Sequence, residues 1–165
     1  MTGAEILDDL RGRFRTRVVD THEHRGDATL VVARQALIDL LRTARDEPAL
    51  SFEVLMDLTA VDYLKYPGRE DGPRFEVVYH LYSITHNHRL RVKVRIEEDD
   101  AIVPSAVRLW PIADWFEREV WDMFGIRFEG HPDLRRLLLY EEFVGHPLRK
   151  DYPINRRQPL IGPKT

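Results

Sequence analysis

With 165 residues, 43% hydrophobic and 32% charged, the chain has the size and composition of one soluble globular domain with a self-sufficient core. A net charge of −3 argues against broad attraction to nucleic acid, and the absence of cysteine excludes disulfides, thiolate zinc sites, cysteine nucleophiles and ordinary iron–sulfur ligation. No apolar run approaches the ~20 residues of a membrane helix and the N-terminus lacks a signal-peptide core, so the expectation is a soluble, cytoplasmic chain whose membrane link, if any, runs through a partner.

The first helix is announced by Thr2-Gly3-Ala4-Glu5, a capping box, with Ile6, Leu7, Leu10 and Phe14 at helical spacing. Val18-Val19 and Leu30-Val31-Val32 are short strand candidates, with Arg25-Gly26-Asp27 able to turn the chain between them. Ala36, Leu37, Leu40, Leu41 and Ala44 mark a second amphipathic helix, stopped by Pro48. Leu50 to Leu64 fits either period, and the favoured reading is a short helix followed by a strand through Val61 to Tyr63. Lys65 to Pro73 reads as a loop, and Arg74 to Ile84 as a well-covered strand. Thr85-His86-Asn87-His88 can serve as a hairpin turn. Leu90, Val92, Val94 and Ile96 then alternate with Arg89, Arg91, Lys93 and Arg95, the clearest strand pattern in the chain. Pro104 to Leu109 suits one helical turn.

Trp110 to Ile126 holds all three tryptophans. It reads as a helix of about three turns. Asp114 and Glu117 form a capping-box pattern at its start, Pro111 lies upstream, and Gly125 stands as a left-handed stop before Ile126. At ~100° per residue, Ile112, Trp115, Phe116, Val120, Met123 and Phe124 share one arc. Glu119 falls inside that arc, Arg118 and Asp122 are i,i+4 partners at its edge, and Trp121 points the other way. Such a helix looks built to be covered on more than one side. The competing reading, that Glu119 snorkels or pairs locally and Trp121 packs under a loop, has equal weight, because an acidic residue is rarely buried unpaired.

Beyond Gly130 the periodicity dissolves. Arg149, Lys150, Arg156, Arg157 and Lys164 make the end of the chain basic, with Asp151 opposing, and such a segment is expected to be loose in isolation. Tyr140, Phe143, Leu148, Tyr152, Ile154 and Leu160 are spread through it. A monomer has little means to bury them all, so the segment is expected to lie across another protein, the alternative being that it folds back over its own sheet. The fold class is α+β in a single domain, residues 1–130, with helices packed on a mixed or mostly antiparallel sheet, followed by an extended interaction segment, residues 131–165.

Other constellations carry less. His22-Glu23-His24 and His86-Asn87-His88 each lack a third ligand for a metal and lie near turns. Glu117, Glu119 and Asp122 have no nucleophile, metal set or phosphate loop nearby to make them a general acid–base group. Ser51, Ser83 and Ser105 lie in no nucleophile elbow, and there is neither a Walker loop nor a dinucleotide fingerprint. The basic strand Arg89, Arg91, Lys93, Arg95 is ordinarily a solvated face, with an acidic partner as the sharper alternative.

The run Glu117-Arg118-Glu119-Val120-Trp121-Asp122-Met123-Phe124-Gly125-Ile126, continued by Phe128-Glu129-Gly130-His131-Pro132-Asp133-Leu134-Arg135-Arg136-Leu137-Leu138, closely resembles the signature of the 30-kDa-type subunit of respiratory complex I, the NADH:quinone oxidoreductase. His146-Pro147-Leu148-Arg149-Lys150-Asp151-Tyr152-Pro153 is similar to that family's closing motif, and Phe52 to Tyr63 to an upstream block. The resemblance implies a non-catalytic structural and assembly subunit of the peripheral arm of an enzyme that moves electrons from NADH through FMN and iron–sulfur clusters to quinone and pumps protons. It implies no cofactor on this chain, with FMN and the clusters held by partner subunits. The implied partners are other peripheral-arm subunits of complex I, chiefly the 49-kDa-type subunit and the one that holds the terminal cluster, at the cytoplasmic face of the inner (plasma) membrane. Structural and interface roles are implied for Glu117, Arg118, Glu119, Trp121, Asp122, Phe124, Gly125, His131, Pro132, Arg135, Arg136, His146, Pro147, Arg149, Lys150, Asp151, Tyr152 and Pro153. Related hydrogenase and ferredoxin-fed complexes carry similar subunits, and a stand-alone binding module is the alternative from another class.

Overall fold

The structure, a computed structural model, describes residues 1–69, 72–159 and 161. Leu160 and Lys164, both expected in the tail, and part of the expected Lys65–Pro73 loop lie outside the described residues. The chain opens as its capping box requires. Thr2 Oγ1 accepts from the Glu5 N–H at 3.3 Å, and Glu5 Oε2 accepts from the Thr2 N–H at 2.8 Å. Helix α1 (Gly3–Phe14) buries Ile6, Leu7 and Leu10. Strands β1 (Val18–His24) and β2 (Asp27–Val32) pair antiparallel about a turn with φ of 54° at Arg25 and 84° at Gly26. Helix α2 (Leu37–Asp46) buries Leu37, Leu40, Leu41 and Ala44. A meander follows: β3 (Val54–Asp62), β4 (Phe75–Ser83) and β5 (His88–Ile96). Short strand β6 (Ile102–Pro104), helix α3 (Ala113–Phe124) and strand β7 (Arg127–Glu129) complete the elements.

The main sheet has the order β1-β2-β5-β4-β3, antiparallel except for the parallel β2–β5 pair, so it is mixed, as expected. Alternation decides its faces. Leu90, Val92, Val94 and Ile96 stand opposite Leu81, Tyr79, Val77 and Phe75, and these eight are buried. They join one core with Ile6 and Leu10 of α1, Leu37 and Leu40 of α2, and Val120 and Phe124 of α3. The helices therefore form one layer and the sheet the other. Arg89, Arg91, Lys93 and Arg95 project from the uncovered face, where Glu76 accepts from Lys93 at 3.2 Å and from Arg95 at 3.1 Å.

The structure departs from the sequence expectations in four places. Leu50 to Phe52 is irregular rather than helical, and β3 runs from Val54 through Asp62. A bulge between Leu55 and Asp57 inserts Met56, which is 56% exposed, and that extra residue mimics a helical spacing of Phe52, Leu55, Met56 and Thr59. The parallel pair β6–β7, a three-residue ladder that brackets α3, had no period long enough to read. Asp114 is not a cap: α3 begins at Ala113, its cap residue is Ile112, and no side chain caps it. Last, the first part of the tail, residues 135–151, is strapped to the domain by the contacts described next.

Candidate functional site

Three of the charged residues of α3, Glu117, Arg118 and Asp122, make side-chain hydrogen bonds inside the chain. Glu117 is fully buried, and its oxygens accept from Ser105 Oγ at 2.7 Å and from the Ala106 N–H at 2.6 Å. No cation among the described residues pairs with it. Burial pushes its carboxyl up to about 7, the Ser105 and Ala106 hydrogen bonds only partly opposing, with Asp114 adding to the rise. The hydroxyl of Tyr79, equally buried and without a hydrogen-bond partner, is raised by burial and then by the Glu117 charge. His131 Nε2 donates to the Asp114 carbonyl at 3.2 Å and lies 3.3 Å from the Asp114 carboxylate, whose Oδ1 has no hydrogen-bond partner. Arg118 does not pair with Asp122. It donates instead to the carbonyls of Arg135 and Arg136, each at 3.2 Å, with its guanidinium 5.5 Å from the Trp115 ring. Glu119 is exposed, contrary to its place in the expected apolar arc, because α3 turns Ala113, Glu117, Val120, Met123 and Phe124 inward instead.

Asp122 is the anchor of the tail. Its Oδ1 accepts from Arg136 Nη1 at 2.5 Å, and its Oδ2 accepts from three successive backbone N–H groups, Leu137 at 3.1 Å and Leu138 and Leu139 at 2.9 Å. Burial alone would raise this carboxyl, but the donors, led by Leu139 and Arg136, hold it below the usual range. Arg136 also donates to the Phe143 carbonyl at 2.8 Å and lies 5.9 Å from the Trp121 ring.

The closing motif also caps the C-terminus of α3. A helix leaves its last carbonyls unpaired. Here His146 Nδ1 meets the Asp122 carbonyl at 2.9 Å, the Leu148 N–H donates to the Met123 carbonyl at 3.1 Å, and Arg149 Nε donates to the Phe124 carbonyl at 2.5 Å. Gly125 is required twice over. It sits at φ 76°, and a Cβ there would come within 2.6 Å of the His146 ring and 2.8 Å of Arg149. Beyond this cap, Asp62 at the end of β3 accepts from Arg74 Nη2 at 2.8 Å and from the Lys150 N–H at 2.8 Å. Arg74 also donates to Asp151 at 2.7 Å and to Glu98 at 2.6 Å. Tyr152 stacks on Phe143 at 6.1 Å, while Pro132 and Pro153 are exposed and Pro147 is half-buried.

Thus α3 gathers Glu117, Arg118, Asp122, Phe124, Gly125, His131, Arg136, His146, Leu148 and Arg149 into one assembly, with Lys150 and Asp151 bound nearby at Asp62 and Arg74. Arg135 remains solvent-facing, paired with Asp133. Asp62, Arg74 and Ser105 were given no role on sequence grounds. Asp62 lies near the end of the upstream block, but its partners are far along the chain, and no local spacing reveals them. The outer surface carries exposed apolar side chains among charged ones: Ile112, Trp115, Leu138 and Leu148 are each about half exposed or more, at 49%, 57%, 62% and 53%. Beside Trp121 lies a groove of about 370 Å³, lined also by Leu134, Arg136, Leu139, Tyr140 and Glu141.

The carboxylates Glu117, Glu119 and Asp122 do not converge, and no hydrogen bond links them. Among the described residues no group of three or more His, Asp or Glu is placed to hold a metal ion, and no helix is long and apolar enough to cross a membrane. His86 and His88 each turn a ring nitrogen to a backbone carbonyl, of Pro48 and Leu50.

Known proteins share both the signature and the fold. A family model described as respiratory-chain NADH dehydrogenase, 30 kDa subunit, matches residues 30–158. The C subunit of the NADH-quinone oxidoreductase of Ralstonia pickettii is 52% identical over 154 residues, covering 92% of this chain and 77% of its own. The protein of the same name from Burkholderia multivorans is 50% identical over 149 residues, covering 89% and 74%. Among solved structures, the trypsin-resistant fragment (1–134) of Nqo5 superposes with a TM-score of 0.69 at 33% identity, over 79% of this chain and 98% of that one. One polypeptide of the membrane-bound sulfane sulfur reductase, an archaeal respiratory membrane complex, superposes with a TM-score of 0.70 at 25% identity, over 93% and 86%. The chain belongs to the family of the 30 kDa subunit of respiratory-chain NADH dehydrogenase.

Proposed function

We propose that this chain is the C-type subunit of a proton-translocating NADH:quinone oxidoreductase and acts there as a scaffold of the peripheral arm, without catalytic chemistry of its own. The observation that carries the reading is the use of the family signature. Arg118, Asp122, Arg136 and Arg149 hold α3 and the tail together, and Glu117, Glu119 and Asp122 do not converge on one another. A protein with that internal bonding and large apolar side chains left exposed outside it is built to be docked against. The names of the relatives at 50% identity and above support the same assignment.

In this reading the cofactors, FMN and the iron–sulfur clusters, belong to partner subunits, and the chain offers no cysteine to ligate a cluster. The partners are chiefly the 49-kDa-type subunit and the one that holds the terminal cluster. The complex holds the chain at the cytoplasmic face of the membrane. Residues 1–130 form the body, and residues 131–165 form the segment that reaches the neighbour, with its first part strapped to α3. A second reading has one observation in its favour: the likeness to the sulfane sulfur reductase complex over 93% of the chain, which fits an equivalent subunit of a different respiratory membrane complex.

A tagged chain purified from gently solubilised native membranes tests this. NADH:quinone reductase activity and iron are expected to co-purify with it, while the chain expressed alone is colourless and inactive. Co-purification of iron with no NADH-dependent activity would favour the second reading. A chain that elutes alone and iron-free would contradict both.

A further inference from the structure

Glu119 is the exception on α3. Glu117, Arg118 and Asp122 each have side-chain hydrogen bonds within the chain, and the partly buried Asp114 carboxylate lies 3.3 Å from His131, whereas Glu119, though among the described residues, takes part in no hydrogen bond and no ion pair. It is exposed, and it stands four residues after Trp115, which is itself three residues after Ile112. Spacings of three and four put these side chains on one face of a helix. That face therefore reads Ile112–Trp115–Glu119: an isoleucine 49% exposed, a tryptophan 57% exposed and one uncompensated carboxylate. Ile112 and Trp115 are among the exposed apolar side chains already assigned to docking, whereas Trp121 lies on another side of α3. Tryptophan beside a lone charge is the composition of an interface anchor, since a tryptophan buries a large area and a charge pair fixes the register.

We infer that the Ile112–Trp115–Glu119 face receives a segment of a neighbouring subunit that carries an arginine or lysine beside an apolar side chain, and that Glu119 pairs with that cation across the interface. The sign of the partner follows from Glu119 being the charge that this face leaves unmatched. An arginine suits it best, because the guanidinium plane can stack on Trp115 while bonding the carboxylate. Glu119 is thus a determinant of which neighbour docks. The inference rests on the assignment to the complex made above.

The test uses the full chain in its native complex. Wild type, Glu119→Gln and Glu119→Lys are expressed with the same tag, and the reductase activity that co-purifies is measured at low and at high salt. The expected result is a loss of about tenfold or more in co-purified activity for Glu119→Lys and a smaller loss for Glu119→Gln, the wild-type yield falling as salt rises. All three chains, isolated, are expected to melt at the same temperature, because Glu119 has no partner inside the chain. Trp115→Ser, also at an exposed position, provides an independent probe of the same face and is expected to lose assembly as well. Assembly of Glu119→Lys and Trp115→Ser at wild-type yield would overturn the inference while leaving the assignment to the complex intact. Self-association of the wild-type chain that Glu119→Lys abolishes would overturn it too, by making a second copy the occupant. Failure of the wild-type chain to bring down the reductase would remove the assignment and the inference with it.

Discussion

Two carboxylates on one helix, five residues apart in sequence, illustrate how local environment sets charge. Asp122 is supplied with an arginine and three backbone N–H groups and stays ionised, whereas Glu117 is supplied with two neutral donors and titrates at about 7. The folded value of Glu117 exceeds its ordinary value of 4.5, so the native state binds this proton more tightly than the unfolded one. Its contribution to stability is fully present below pH 4.5 and is lost as pH rises through about 7. Glu117→Gln keeps an acceptor for the Ala106 N–H and cannot ionise. Between pH 4.5 and pH 8, denaturant titrations should therefore show the wild type losing roughly 3 kcal/mol relative to Glu117→Gln. His80, His88 and His146, all held below their ordinary values by burial, contribute with the opposite sign, but they are common to both proteins and cancel in the difference. A difference independent of pH would show that Glu117 does not titrate in this range. Sequence pointed to the wrong carboxylate here. The wheel put Glu119 in the apolar arc, and only the loop Ser105–Ala106, delivered by β6, reveals that Glu117 faces inward. Gly125, by contrast, was legible, because a left-handed stop needs only local geometry.

At the scale of elements, α3 and the tail are one unit. The helix is pinned along its flank by Arg136 and Leu137 to Leu139 and at its C-terminus by His146, Leu148 and Arg149. Asp122→Asn removes the charge partner of Arg136 and sets a side-chain amide against three N–H donors. The expected cost is roughly 3–5 kcal/mol in a denaturant titration, the range for breaking a buried ion pair by losing one member. Trypsin should also cut after Arg135 and Arg136 faster than in the wild type. Unchanged stability and cleavage would mean that the strap is held by its apolar contacts alone. The two helices at the start of the chain, the basic strand β5 and the strand β4 were readable from period and capping, because a long amphipathic pattern reports its own burial. The strap was not, because its partners are single carboxylates and helix-end carbonyls remote in sequence. Its order comes from buried polar bonds, which leave no periodic trace.

At the scale of the molecule, the three α-helices of the described residues cover one face of a five-stranded sheet, α3 and its strap form a flank with large apolar side chains exposed, and the other sheet face carries charges largely matched within the chain, as Glu76 is by Arg69, Lys93 and Arg95. Burial would raise the Glu76 carboxyl, yet these cations draw it down to about 2, so that face is stabilised internally at neutral pH rather than waiting for a partner. The α3 flank is the surface that remains unfinished. Hydrogen exchange measured on this chain alone and within the purified complex tests that claim most directly. The account predicts added protection along residues 112–124 and 134–158 in the complex, with little change on β5 and β4. Protection confined to β4 and β5, with α3 and the strap exchanging as in the isolated chain, would contradict it and move the docking surface to the open face of the sheet.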